Sequence, residues 1–307
     1  MSIVRIYETL KGDLSMLSIP KTDKARASQM VKWYAMRMGF DLVGITSADP
    51  FEAEEKIAMD RLNEGLMDGL PWFHEGRIRR GTRPQEMLPG ARSIISLAMS
   101  YLSEDIPDKP KSPAGRVAKY AMGKDYHGVM EKRLKTFVKG LSEHIGSDIK
   151  AKVYVDTGPM LDRAVAERSG IGWYGKNTNI LTSTHGSWVF LGQVITDLDL
   201  DTDEQSKKTC GNCTLCIDLC PTGAIVSPYV LDNKRCISYL TIECRGPIPR
   251  ELRPLMGDWV FGCDICQDVC PVNRKAASTS EPAFQIGEHG FSSLDLIPLL
   301  RITDNEF

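Results

Sequence analysis

Apolar positions recur every three or four residues from about Lys21 to Phe40, a spacing that predicts an amphipathic helix. The apolar run Asp41–Thr46 (DLVGIT) predicts a short buried strand, and a second helix is predicted from about Pro50 to Leu66. Ala91–Tyr101 (ARSIISLAMSY) is β-branched and apolar after a Pro-Gly turn and predicts another buried strand. Glu104–Gly115 is polar and rich in proline, which predicts a loop; a helix follows from about Tyr126 to Ile145. The stretch KAKVYVDTGP alternates and stops at Gly158-Pro159, as a strand ending in a turn does. MLDRAVAERSG predicts a helix capped by Gly170. NTNILTS and SWVFLGQVITDL predict two strands joined at His185-Gly186. Strands that alternate with helices predict an α/β (α+β) domain. DLDTDEQSKK, acidic and then basic, predicts a linker out of it.

Composition narrows the class. With 307 residues, 42% hydrophobic and 25% charged, the chain suits one large domain with a smaller module and can bury a sizeable core. The net charge of −2 gives no global signal for nucleic acid, so any such site must be a local basic patch. The N-terminus is mixed in charge without a long apolar run, against a secretory signal. No apolar run is long enough for a membrane span, and a cytoplasmic protein is expected.

All nine cysteines lie between Cys210 and Cys270, a confinement that points to metal rather than to a disulfide scaffold. Cys210, Cys213, Cys216 and Cys220 follow C-x2-C-x2-C-x3-C-P, the spacing of bacterial ferredoxins. Three thiolates on one tight loop take three corners of a 4Fe–4S cube, and the fourth serves a second cluster. A second set follows in Cys236, Cys263, Cys266 and Cys270, with Pro271 after the last. Exchange of the fourth ligands then assigns Cys210, Cys213, Cys216 and Cys270 to one cluster. Cys220, Cys236, Cys263 and Cys266 fall to the other, and Cys244 is left over as a small buried hydrophobe. Zinc is the rival, but zinc ribbons do not need the x3-C-P step. A ferredoxin alone needs far less chain, so electrons are expected to reach a site in the larger upstream region.

Other candidates are less specific. Asp156 ends a predicted strand before a Gly-Pro turn, where α/β folds meet ligands. A carboxyl there can hold and donate a proton, and a turn-forming Asp is the competing reading. GIGWYGKN lacks the spacing of a phosphate loop. Arg77, Arg79, Arg80 and Arg83 form a basic run that suits phosphate or a solvated loop. Lys119, Tyr126 and His127 fall close together, the last two reading as a structural pair. Arg245, Arg250 and Arg253 stand between the cysteine sets as a local basic face or plain charged surface.

Together these stretches resemble the epoxyqueuosine reductases. The likeness rests on LPGARSII, YAMGKDYH, VDTGPMLDRAVAERSGIGWYGKNTNIL, GSWVFLGQVITDLDL, CGNCTLCIDLCPTGAI, LDNKRCISYLTIE, LRPLMGDWVFGCDICQDVCPVN and LLRITDNEF. It implies an N-terminal cobalamin domain with a nitroreductase-like fold (1–200), a ferredoxin-like domain with two 4Fe–4S clusters (201–280) and a short C-terminal segment (281–307). It implies reduction of epoxyqueuosine at the wobble position of a tRNA anticodon stem-loop, with electrons passed through the clusters to cobalamin. It implies Asp156 as the proton donor, and Arg79, Lys119, Asn177, Ser238 and Asp264 as cobalamin neighbours. A small reducing donor, ferredoxin or flavodoxin, and a monomeric state are expected. Cys244 departs from the pattern, and relatives of this kind continue past the position of Phe307. A related class with the same cofactors, the reductive dehalogenases, would use a tyrosine as acid, here Tyr126 or Tyr154. A plain electron-transfer protein would bind neither cobalamin nor tRNA.

Overall fold

The buried octet Ser93–Ser100 forms β2, which pairs with β1 (Leu42–Ser47) on one side and β5 (Val189–Thr196) on the other. β4 (Ala151–Tyr154) closes the far edge, in the order β1-β2-β5-β4, with every pairing antiparallel. This computed structural model describes residues 23–104, 113–286 and 293–303. One face of the sheet carries Ile45, Ile95, Leu97, Met99 and Val194 against α1 (Lys24–Arg37) and α4 (Tyr126–Ile145). The other face carries Ile94 and Ile195 against Ala164 and Val165 of α5 (Asp162–Arg168), beside Phe51 and Met87. α2 (Glu52–Asn63) and α3 (Glu75–Gly81) flank that second face. Each such side chain withdrawn from water stabilises the fold by about 1.5–3 kcal/mol.

Burial on both faces explains why β2 shows no polar alternation. It does not make the strands parallel, and the architecture is therefore α+β; the α/β alternative is corrected on this point. β1 lies so close to the end of α5 that a Cβ on Gly44 would stand 2.2 Å from the Ser169 carbonyl oxygen. The predicted helix over Tyr126–Ile145 forms with those bounds, capped by Asp125 and closed by left-handed Gly146.

Three sequence expectations change. Ala114–Val117, assigned in part to the Pro-rich loop, is strand β3; residues 105–112 of that loop lie outside the described residues. β3 is the middle strand of a second sheet, between parallel β6 (Trp259–Phe261) and antiparallel β7 (Ser293–Asp295). Ile180–Leu181 pairs with Trp173–Tyr174 rather than forming a hairpin with β5. The acidic linker is fastened to the sheet domain: Asp203 accepts from the Ile45 amide at 2.9 Å and pairs with Lys32, while Asp199 pairs with Arg92 at 2.6 Å. Among the described residues, no helix is long and apolar enough to cross a membrane.

Candidate functional site

The cysteines sit on tight turns followed by short helices, α6 (Leu215–Asp218) and α7 (Ile265–Asp268), which touch each other. All nine thiols are free. Cys210, Cys213, Cys216 and Cys270 line one small cleft, beside Lys176 and Asn177. Burial pushes the Cys216 thiol up to about 11, and the charges of Cys210, Cys270 and Cys213 add to it. In the second group burial pushes Cys263 up to about 12 and Cys266 well above its ordinary value, and both feel Cys236 and Cys220. Gathering four such sulfurs is unfavourable while they are ionised and alone, and favourable around iron cations. The donor set therefore fits iron–sulfur clusters. Among the described residues no three His, Cys, Asp or Glu are grouped for a single metal ion; the four thiols of the first group stand around a cleft. Cys244 is half-buried rather than buried, its sulfur 3.5 Å from the Gly246 carbonyl oxygen.

The upstream domain reaches both groups. Lys176 Nζ donates to the carbonyls of Gly211 and Cys213, at 2.7 and 2.9 Å. Buried Asn177 donates to the Cys266 carbonyl at 3.1 Å. Ser238 lies beside the Cys236 sulfur, and its amide and hydroxyl offset part of the rise that burial gives that thiol. Directly after β3, the Lys119 amide donates to Asp264 Oδ2 at 2.7 Å, and Lys119 Nζ pairs with Asp268 at 2.9 Å. The β3–β6 pairing is what brings Lys119 to Asp264. Burial raises the Asp264 carboxyl to about 6 against the pull of Lys119. Arg79 stands apart from this group: on α3 its guanidinium pairs with Glu75 at 2.6 Å.

Asp156 follows β4 in left-handed backbone, φ 50°, which is rare for a residue with a Cβ. Its side chain is 62% exposed. Its Oδ2 accepts from the Tyr126 hydroxyl at 2.8 Å, and His127 Nε2 stands 3.4 Å away. The Tyr126 ring stacks on Phe190 at 4.1 Å and on His127 at 4.1 Å. In the sequence Tyr126 and His127 read as a structural pair; the fold turns both toward Asp156. Burial, then the charge of Asp156, pushes the Tyr126 phenol far up. Burial, and then the charges of Asp156 and Asp264, raise the Tyr120 phenol to about 12.

α3 backs the Asp156 loop. A Cβ on Gly81 would lie 1.9 Å from the Pro159 carbonyl oxygen, so only glycine permits this approach. Arg77 donates to the carbonyls of Gly158 and Thr157, and its guanidinium lies over Trp72 at 4.9 Å. In the sequence Arg77 is only one member of a basic run. At the start of α5, burial raises the Asp162 carboxyl to about 7, and the charge of Asp156 adds to this. Asp162 Oδ1 is sealed from solvent with no hydrogen-bond partner.

Residues 209–273 match the family model of a 4Fe-4S double cluster binding domain. With the antiparallel α+β domain and its carboxyl site, this defines the chain as an iron–sulfur oxidoreductase carrying two clusters. Residues 81–157 match the model described as Epoxyqueuosine reductase QueG, DUF1730. The chain is 42% identical over 267 residues to the epoxyqueuosine reductase of Escherichia coli (strain K12), covering 85% of this chain and 69% of that protein. It is 40% identical over 294 residues to that of Pseudomonas aeruginosa, covering 93% and 79%. A crystal structure of epoxyqueuosine reductase with an epoxyqueuosine-modified tRNA-Tyr stem loop superposes with a TM-score of 0.84 at 36% identity, covering 92% of this chain and 74% of that one. The Streptococcus thermophilus enzyme superposes with a TM-score of 0.83 at 31% identity, covering 91% and 73%. The chain belongs to the epoxyqueuosine reductase family.

Proposed function

We propose that this protein reduces epoxyqueuosine in tRNA to queuosine, with Asp156 as the acid. The observation that carries the reading is the exposed Asp156 carboxyl, which accepts from Tyr126, in a fold where the charges of both Asp156 and Asp264 reach Tyr120 beside Lys119. Reduction of an epoxide to an alkene consumes two electrons and two protons and releases the oxygen as water. The electrons come through two 4Fe–4S clusters, one on Cys210, Cys213, Cys216 and Cys270 and one on Cys220, Cys236, Cys263 and Cys266. The grouping of thiols described above supports this division.

Cobalamin is the second cofactor of the proposal, held by Lys119, Asn177, Ser238 and Asp264, with Arg79 as a further contact and Asp156 facing it. Donors of this kind, an amide, a hydroxyl, an ammonium and a carboxyl standing beside the second cysteine group, suit a ring fringed with amide groups. When bound, it supplies a cobalt centre that takes electrons and delivers them to carbon. The protein's own part is to orient the epoxide and to hold a proton on Asp156 Oδ2. The reactive nucleoside sits in a single-stranded loop, where splaying it out costs less than in a duplex. Exposed Arg245, Arg250 and Arg253 supply local positive charge for its phosphates in an otherwise acidic chain.

The same reading takes 1–200 as the cobalamin domain, nitroreductase-like in fold, 201–280 as the ferredoxin-like domain and 281–307 as a C-terminal segment. It takes the protein as a cytoplasmic monomer that draws electrons from a small donor such as ferredoxin or flavodoxin. The test uses anaerobic, cluster-loaded protein with cobalamin, a strong reductant and tRNA bearing epoxyqueuosine, followed by nucleoside mass spectrometry. Queuosine should form, require cobalamin and fail to form with Asp156→Asn although the clusters remain. Unchanged epoxyqueuosine with both cofactors bound refutes the reading.

A further inference from the structure

Both protons of the proposed reaction finish on one oxygen, the one that leaves as water. They are therefore delivered at one place, and a single carboxylic acid brings only one of them. An acid at that place must be recharged before the oxygen departs. This inference rests on the functional reading above and concerns how Asp156 is recharged.

Tyr126 is poorly suited to the task. Its hydroxyl already donates to Asp156 Oδ2 at 2.8 Å, and its ring is packed flat on Phe190 with 5° between the planes. Giving up that proton would leave a phenolate in a half-buried site beside a carboxylate. His127 is differently placed. Its Nδ1 stands 2.7 Å from Asp125 Oδ1, and its Nε2 stands 3.4 Å from Asp156 Oδ2. Its side chain is 37% exposed, so protons reach it from water. Asp125 is fixed in turn, because the same Oδ1 caps α4 by accepting the His127 amide at 3.0 Å. An imidazole with one nitrogen on a capped carboxylate keeps its proton there and presents the other nitrogen to Asp156. The 3.4 Å separation is long for a hydrogen bond and is of the kind that shortens when substrate closes a site.

We propose that His127, oriented by Asp125, returns a proton to Asp156 after Asp156 has protonated the substrate oxygen. In this step imidazolium Nε2–H gives its proton to Asp156 Oδ2. The imidazole keeps the proton on Nδ1, and Nε2 takes a new one from solvent. No electrons move. The other groups facing the pair are Tyr126 on α4, Tyr120 on the turn after β3, Asp162 on α5, and Arg77, which holds the Asp156 loop by its backbone. Solvent→His127→Asp156 is thus a short relay at the N-terminus of α4, with Asp125 orienting the imidazole.

The experiment measures queuosine formation by the cofactor-loaded enzyme on epoxyqueuosine tRNA across pH, for wild type, His127→Ala, His127→Gln and Asp125→Asn. Cluster absorbance and circular dichroism verify that each variant is folded. Both His127 variants should lose about 10²-fold or more in kcat with KM for tRNA little changed. Added imidazole should restore His127→Ala in a concentration-dependent way, and should restore His127→Gln poorly because the cavity is filled. Asp125→Asn should move the pH profile of kcat and lower its maximum, with KM for tRNA little changed. The relay is refuted if folded His127→Gln keeps wild-type kcat and pH profile, or if folded His127→Ala loses activity that imidazole cannot restore. Wild-type enzyme that leaves epoxyqueuosine untouched refutes the functional reading, and the relay falls with it.

Discussion

Replacing Asp162 by Asn should stabilise the protein at pH 8 and leave it almost unchanged at pH 4. The carboxyl is raised from 3.8 to about 7, first by burial and then by the charge of Asp156. Its Oδ1 is sealed and has no hydrogen-bond partner. In the unfolded chain the group ionises near its ordinary value, while in the fold it keeps its proton until about pH 7. Below the lower value both states are protonated, and the group costs nothing. Between the two the folded state binds more protons, so stability falls as pH rises; above the higher value the loss is complete. A displacement of this size corresponds to about 4 kcal/mol at about 1.4 kcal/mol per pKa unit. Asp162 as a whole residue retains some solvent contact, unlike its Oδ1, so a cost of about 1–3 kcal/mol is the better expectation. Asparagine has nearly the same shape and no charge to desolvate. Thermal midpoints of cluster-loaded wild type and Asp162→Asn, taken at several pH values, test this. Comparison at equal pH removes any pH dependence of the clusters themselves. For a chain of this size about 1 kcal/mol moves the midpoint by about 2–4 °C. The gain should be absent near pH 4, appear from pH 5 and level off above pH 7. A variant that gains equally at every pH, or is less stable than wild type at pH 8, refutes the argument.

Two further outcomes follow from the site. Cys270→Ala and Cys216→Ala should lose the same cluster and about half of the iron, as measured by iron analysis and electron paramagnetic resonance, although the two residues stand in different cysteine runs. Arg77→Ala removes the guanidinium that ties down the Thr157 and Gly158 carbonyls, so kcat should fall about ten- to a hundredfold with both clusters intact. Wild-type kcat in that variant would mean that α3 packing alone holds the Asp156 loop.

Some of this was readable from the chain. The helix over Tyr126–Ile145 is announced by its Asp125 cap, its apolar spacing and Gly146, all within one segment. The cysteine runs are legible because one tight turn sets their spacing. Strand direction was not legible, because a run such as Ser93–Ser100 reports burial on both faces and carries no record of its partner's sense. β3 was missed because Ala114–Val117 is short, contains Gly115 and adjoins a proline-rich stretch; its strand character comes from partners far away in sequence. The same distance hid the approach of Arg77 to the Asp156 loop and of His127 to Asp156. Such contacts are products of tertiary packing, and no local periodicity encodes them.

The second sheet has a consequence for the order in which the chain can be completed. Its middle strand, Ala114–Val117, leaves the ribosome long before Trp259–Phe261 and Ser293–Asp295, the strands on either side of it. Domains fold from the N-terminus as they emerge, and contacts between distant segments close late. Until then both edges of the strand are unpaired, and Lys119 beside it has no Asp264 to meet. The cysteine segment therefore comes to rest on a scaffold that it helps to finish. Closure of the upstream domain is a late event in biogenesis, and until the C-terminal strands arrive the middle strand keeps open edges, exposed to proteolysis and to aggregation.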